Sequence, residues 1–155
     1  MKPKLYLETS VVSYLAARPS QDIVVAGQQA SSRRWWKEGR RNYDVFASKL
    51  VWQEAGKGNR EAVDRRLKFI RSLLWLQVTS EAVQLAKALI GHKALPPNAA
   101  ADATHIALSA VHEMEFLLTW NFTHINNPST EEQVRVICQQ HGFHCPVVCT
   151  PDQLL

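Results

Sequence analysis

The chain has no run approaching the ~20 consecutive apolar residues that a membrane-spanning helix needs. Its start, Met1-Lys2-Pro3-Lys4, leads into only Leu5-Tyr6-Leu7 before Glu8, too short an apolar stretch for a signal-peptide core. The expectation is a cytoplasmic protein that does not engage a membrane. Cysteine is also scarce. The three present in 155 residues all fall after residue 137, and an odd number so placed implies no disulfide framework. Internal repeats, low-complexity tracts and linkers are missing, which leaves a single domain over residues 1–155. With 46% hydrophobic residues, that domain can bury a core of its own.

Acidic residues are sparse in the first half and basic ones in the second. Residues 1–72 carry 15 Lys and Arg against 7 Asp and Glu, whereas residues 73–155 carry 3 against 7. The cations concentrate in windows 33–41 and 57–71. A basic half beside an acidic half suits a nuclease, whose cationic flank holds a phosphate backbone while an acidic centre holds metal. Solvated helix faces would give the same balance.

Apolar patterning predicts strands at residues 4–7, 43–48, 73–78, 116–119 and 146–149. Helices are expected between them, over 11–17, 22–39, 48–56, 59–72, 80–90, from 98 up to the strand at 116, and over 129–141. Thr9-Ser10, Ser20-Gln21-Asp22, Asn59, Thr79-Ser80 and Asn98 read as helix caps. Strands alternating with helices predict an α/β fold, a three-layer α/β/α sandwich around a central, mostly parallel sheet.

In such a sheet, functional residues gather beyond the carboxyl ends of the strands. Glu8 closes the first strand, and Asn121 follows the fourth. Glu54 lies about a turn and a half into the helix after the second strand. Asp102 stands among Ala99, Ala100, Ala101 and Ala103, one turn into the helix before the fourth strand. Oxygen ligands of this kind suit a hard divalent cation such as Mg2+ or Mn2+. Periodicity alone does not show that the four meet in space.

Four segments in register carry a resemblance. They are Leu5-Tyr6-Leu7-Glu8-Thr9-Ser10-Val11, Ser48-Lys49-Leu50-Val51-Trp52-Gln53-Glu54, Asp102-Ala103-Thr104-His105-Ile106-Ala107-Leu108 and Leu117-Leu118-Thr119-Trp120-Asn121-Phe122. Together they resemble PIN-domain ribonucleases, a family that includes the VapC-type toxins of toxin–antitoxin pairs. The resemblance implies an endoribonuclease that uses Mg2+ or Mn2+ to cleave an RNA substrate. It also implies a small antitoxin protein as partner, and a homodimer. Carried over by position, Glu8, Glu54 and Asp102 would hold the metal, with Asn121 in the fourth catalytic place. Thr9, Ser10 and Thr119 would support them.

Two positions depart from the family pattern. Glu8 stands where Asp is usual and is longer by roughly 1.5 Å. Asn121 stands where Asp is frequent and drops a negative charge. Three carboxylates then imply one tightly held ion, with a second recruited only by substrate phosphate. The same departures support an alternative, a catalytically degenerate PIN-like module that binds RNA or protein. A phosphoacceptor domain is weaker still, because the motif segments supply neither a neighbouring acidic pair nor a lysine.

Arg33, Arg34, Lys37, Arg40 and Arg41 interleave with Trp35 and Trp36, a pattern suited to phosphates and stacked bases. Tryptophans packed inward beneath solvated arginines would read identically. The run Cys138-x2-His141-x2-His144-Cys145-x3-Cys149 lacks recognised zinc spacing, and Cys138 and Cys149 fit the inner faces of a helix and a strand. His105, one turn after Asp102, reads as a residue that packs or hydrogen-bonds nearby rather than as a proton carrier.

Overall fold

The computed structural model describes residues 1–155. Its centre is a sheet of five parallel strands: β1 (Lys4–Leu7), β2 (Asp44–Ser48), β3 (Leu74–Leu76), β4 (Phe116–Leu118) and β5 (Val147–Cys149). Their spatial order is β3-β2-β1-β4-β5. The middle strand is β1, whose Leu5, Tyr6 and Leu7 are fully buried, as expected of a parallel strand covered on both faces. Leu5 pairs with Val45 on one side and Phe116 on the other. The chain works outward from β1 to β2 and β3, then returns to place β4 beside β1. The direction of winding therefore reverses between β1 and β4. In open α/β sheets, that reversal opens a crevice at the carboxyl ends of the two strands.

Seven α-helices cover the sheet: α1 (Thr9–Ala16), α2 (Ile23–Arg34), α3 (Lys49–Ala55), α4 (Arg60–Ile70), α5 (Ser80–Gly91), α6 (Ala100–Val111) and α7 (Pro128–Gln140). The first four pack on one another, while α5 packs against α6 and α7. The layers are those of the predicted sandwich, with every strand pair parallel. Cys138 and Cys149 lie buried on the inner sides of α7 and β5, and all three cysteines are free.

Most caps follow the sequence. Asp22 accepts from Val24 and Val25, Asn59 from Glu61 and Ala62, and Thr79 from Ala82. Each satisfies backbone donors that a helix start leaves open. Asn98 is an exception: it lies inside a 3-10 turn, Pro97–Ala99, and α6 starts at Ala100 with no side-chain cap. The Asp102 carboxylate in its first turn still complements the positive end of the helix dipole. Thr9 and Ser10 cap nothing either. They form the first turn of α1, and Glu8 holds the cap position.

The helix expected to run to Gly39 is regular only to Arg34, then widens into a π-turn over Trp35–Gly39. That turn seats the fully buried Trp35 ring against Gly39, where a Cβ would lie 2.7 Å from Trp35 Cδ1. Only glycine permits this approach.

Candidate metal centre

The Glu8 side chain enters the β1–β4 crevice directly. It follows the last residue of β1, its N–H donates to Leu118 O at 3.1 Å, and it is only 5% exposed. Two hydroxyls donate to its Oε1, Ser10 Oγ at 2.5 Å and Thr119 Oγ1 at 2.6 Å. Each hydroxyl is itself fixed by a backbone N–H, from Trp120 to Ser10 at 2.8 Å and from Asn121 to Thr119 at 2.9 Å. The first turn of α1 and the end of β4 therefore clamp one carboxylate oxygen.

Glu54 reaches the same place from α3. Its Oε1 accepts from Thr9 Oγ1 at 2.6 Å and pairs with His105 Nε2 at 2.7 Å. The ligand atoms of Glu8, Glu54 and His105 lie within 4.8 Å of one another. In both glutamates the hydrogen bonds converge on Oε1 and leave Oε2 with no protein partner. The one sealed side-chain polar atom without a partner is Trp35 Nε1, so Oε2 of Glu8 is open to solvent.

Behind this pair lies a buried polar row. His105 Nδ1 meets Tyr6 Oη at 2.8 Å, and Tyr6 Oη meets Ser48 Oγ at 2.7 Å. Ser48 Oγ accepts the Val51 N–H at 3.3 Å, so the residue that caps α3 also anchors the row. All three side chains are inaccessible to solvent.

Burial would raise the Glu54 carboxyl. The hydrogen bond and charge of His105, the Thr9 hydroxyl and Lys57 outweigh that effect and hold it below its ordinary 4.5. Burial would likewise lower the His105 imidazole. The Glu54 hydrogen bond and the charges of Glu8, Glu54 and Asp102 instead hold it above its ordinary 6.5. Burial keeps the Tyr6 phenol far above its usual range, so it remains a neutral O–H group.

The other residues singled out in the sequence fall differently. Asp102 is half-buried on the first turn of α6 and stands outside the 4.8 Å set, although its charge acts on His105. Asn121 Oδ1 accepts the His124 N–H at 3.0 Å, which folds the loop after β4. His105, expected to pack or hydrogen-bond nearby, does hydrogen-bond, and its partner is Glu54, which brings it beside the two glutamates. Its spacing of three residues from Asp102 was a signal, since both then project from one side of α6.

The last two cations of the basic segment lie away from this crevice. Arg40 and Arg41 belong to the 3-10 turn Arg40–Asn42, immediately before β2, and so sit at the amino edge of the sheet. Arg34 pairs with Glu38 at 3.1 Å, and the Arg40 guanidinium lies 4.1 Å from the centre of the Trp36 ring. Arg33 ends α2, and Lys37 lies in the π-turn. On α4, Arg65 and Arg66 donate to Ala16 O and Ala55 O and so close the ends of α1 and α3.

No family model matches the chain, and no curated protein matches it. Solved structures do. VapC20 of Mycobacterium tuberculosis, a sarcin–ricin loop cleaving toxin, aligns with TM-score 0.58 over 78% of this chain and 92% of its own, at 17% identity. VapBC2 of Rickettsia felis, solved bound to a DNA fragment from its promoter, aligns with TM-score 0.60 over 94% and 97%, at 12% identity. At such identities the likeness speaks for the fold. The protein has the PIN-like α/β/α fold of these VapC structures, with Glu8 and Glu54 at the crevice where its winding reverses.

Proposed function

We propose that the protein is a metal-dependent endoribonuclease that hydrolyses RNA phosphodiesters as the toxin of a toxin–antitoxin pair. One observation supports this reading above the others. Two carboxylates from distant segments converge at the crevice of the sheet, each with one oxygen held by protein donors and one open.

The residues fit a divalent cation. Mg2+ and Mn2+ take oxygen ligands from one or two carboxylates and keep several waters. Glu8 and Glu54 would hold the ion through Oε2, and Asp102 would add charge or a water-mediated contact from α6. The ion would supply Lewis-acid activation of a water and neutralise charge on the scissile phosphate. The chain's own part is to orient the two carboxylates through Thr9, Ser10, Thr119 and His105. Products would carry a 5′-phosphate and a 3′-hydroxyl.

The sarcin–ricin activity of the Mycobacterium tuberculosis neighbour makes structured RNA the first substrate to test, and the VapBC2 neighbour makes a small antitoxin the first partner. A homodimer accompanies this proposal. The decisive experiment incubates the purified protein with structured RNA and Mg2+ or Mn2+. Cleavage that disappears with EDTA and in Glu8→Gln, Glu54→Gln and Asp102→Asn supports the reading. Undiminished cleavage by a folded Glu8→Gln variant refutes the site.

The commitment of Asn121 Oδ1 to its own loop, with Asp102 outside the tight cluster, favours a second reading. This is an RNA- or protein-binding module without catalysis. Calorimetry that detects RNA binding but no Mn2+ binding at millimolar metal would select it.

A further inference from the structure

We infer that Tyr6 and His105 are positioning residues for the Glu54 carboxylate, locking its Oε1 so that Oε2 alone faces the metal. The inference rests on the metal reading of the site and deepens it.

A carboxylate only accepts hydrogen bonds, so the 2.7 Å contact requires a hydrogen on His105 Nε2 in either charge state of the ring. In the neutral ring, Nδ1 is then an acceptor, and Tyr6 is the group placed to donate to it, at 2.8 Å. Tyr6 Oη in turn accepts from Ser48, whose oxygen receives the Val51 N–H. Every hydrogen in the row has one consistent direction, from the start of α3 through β1 and α6 back to the Glu54 side chain on α3. Tyr6 thereby selects the tautomer that serves Glu54.

Glu54 needs such a lock more than Glu8 does. The Glu8 side chain is almost wholly enclosed, whereas Glu54 keeps 25% of its side-chain surface exposed and projects from a short helix. Its rotamers are free unless something fixes them. The geometry repeats that of Glu8, with two donors on Oε1 and none on Oε2. For Glu8 both donors are hydroxyls; for Glu54 one is a hydroxyl and the other an imidazole. Outer partners of this kind orient ligands and contribute to metal affinity.

The same distances allow a competing arrangement, in which His105 binds the ion itself through Nε2. That would require the Nδ1–H tautomer and would break the contact with Glu54.

The test uses Mn2+ alone as the probe, with affinity measured by calorimetry and the bound ion examined by pulsed EPR for nitrogen coupling. His105→Leu should weaken Mn2+ binding by about 10–100-fold, with the metal-free melting temperature measured alongside. His105→Gln, whose amide N–H can reach the same oxygen, should recover most of that loss. Tyr6→Phe should give a smaller loss in the same direction, and the wild type should show no directly bound imidazole nitrogen.

Unchanged affinity in His105→Leu overturns the inference, and so does equal loss in His105→Leu and His105→Gln. A directly bound nitrogen on Mn2+ overturns it as well, by making His105 a ligand. If His105→Leu does not fold, His105→Gln and Tyr6→Phe decide between the same outcomes. If the wild type binds no Mn2+, the metal reading itself falls, a result distinct from the other three.

Discussion

Thr9 and Ser10 are adjacent in sequence, yet their hydroxyls donate to different carboxylates, Thr9 to Glu54 at 2.6 Å and Ser10 to Glu8 at 2.5 Å. The first turn of one helix therefore sets the separation of the two acids. Each hydroxyl can be removed singly. Thr9→Val and Ser10→Ala should each weaken Mn2+ binding by about 10–100-fold, the usual effect of losing an outer-shell partner. Ser10→Ala also strands the Trp120 N–H. It should lower thermal stability as well, by about 1–3 kcal/mol for an unsatisfied buried donor. Metal titration followed by melting of the same samples separates the two effects.

The His105–Glu54 pair predicts a pH profile for the metal-free protein. The folded His105 value lies above 6.5, so its contribution is complete below pH 6.5 and is lost as pH rises through the folded value. The folded Glu54 value lies below 4.5, so its contribution is complete above pH 4.5 and is lost as pH falls through the folded value. The pair thus stabilises the fold most between pH 4.5 and 6.5. Melting temperatures in EDTA should decline on the alkaline side of that window in the wild type and decline less in His105→Gln. Identical profiles would contradict the ion pair.

Gly39→Ala should destabilise without touching the site. Its Cβ would lie 2.7 Å from Trp35 Cδ1 and 3.1 Å from Nε1, and the ring is fully buried. Overpacking of this kind costs about 1–3 kcal/mol. Urea denaturation should register it, while Mn2+ affinity of the folded fraction stays at the wild-type value.

Arg40 and Arg41 stand at the amino edge of the sheet, away from the carboxyl-edge crevice. Replacing both with Ala should therefore leave cleavage of a short oligonucleotide unchanged. On long RNA, the salt dependence of binding should flatten only if these cations contact phosphates beyond the site. A large loss of cleavage on the short substrate would bring the basic segment into the active region.

Much of the fold was legible because local chemistry determined it. Leu5-Tyr6-Leu7 is an unbroken apolar run, and it became the strand buried on both faces. Asp22, Asn59 and Thr79 cap the helices that they precede, because a cap needs only a short oxygen-bearing side chain at the right step. Asn98 met the same criterion, but the two prolines before it led into a 3-10 turn instead.

The site was legible in part. Glu8 is readable from the end of its strand and Glu54 from the resemblance, and the structure brings them together. Tyr6 and His105 were not readable as site residues, because a buried apolar-strand tyrosine and a helical histidine are common core components. Their meaning lies in a hydrogen bond between residues 99 apart in sequence. The turn that Asn121 makes was not readable either: its carbonyl oxygen accepts the His124 N–H.

The pairing of β1 with β4 has a consequence for the timing of synthesis. Glu8 is translated well before its partner, because the Thr119 hydroxyl that clamps it lies 111 residues later. Until that segment has left the ribosome, β1 has no neighbour on one side, and Glu8 has only the Ser10 half of its clamp. His105, which holds Glu54, arrives nearly as late. A nascent chain therefore carries no complete clamp on Glu8 until β4 has emerged and paired with β1.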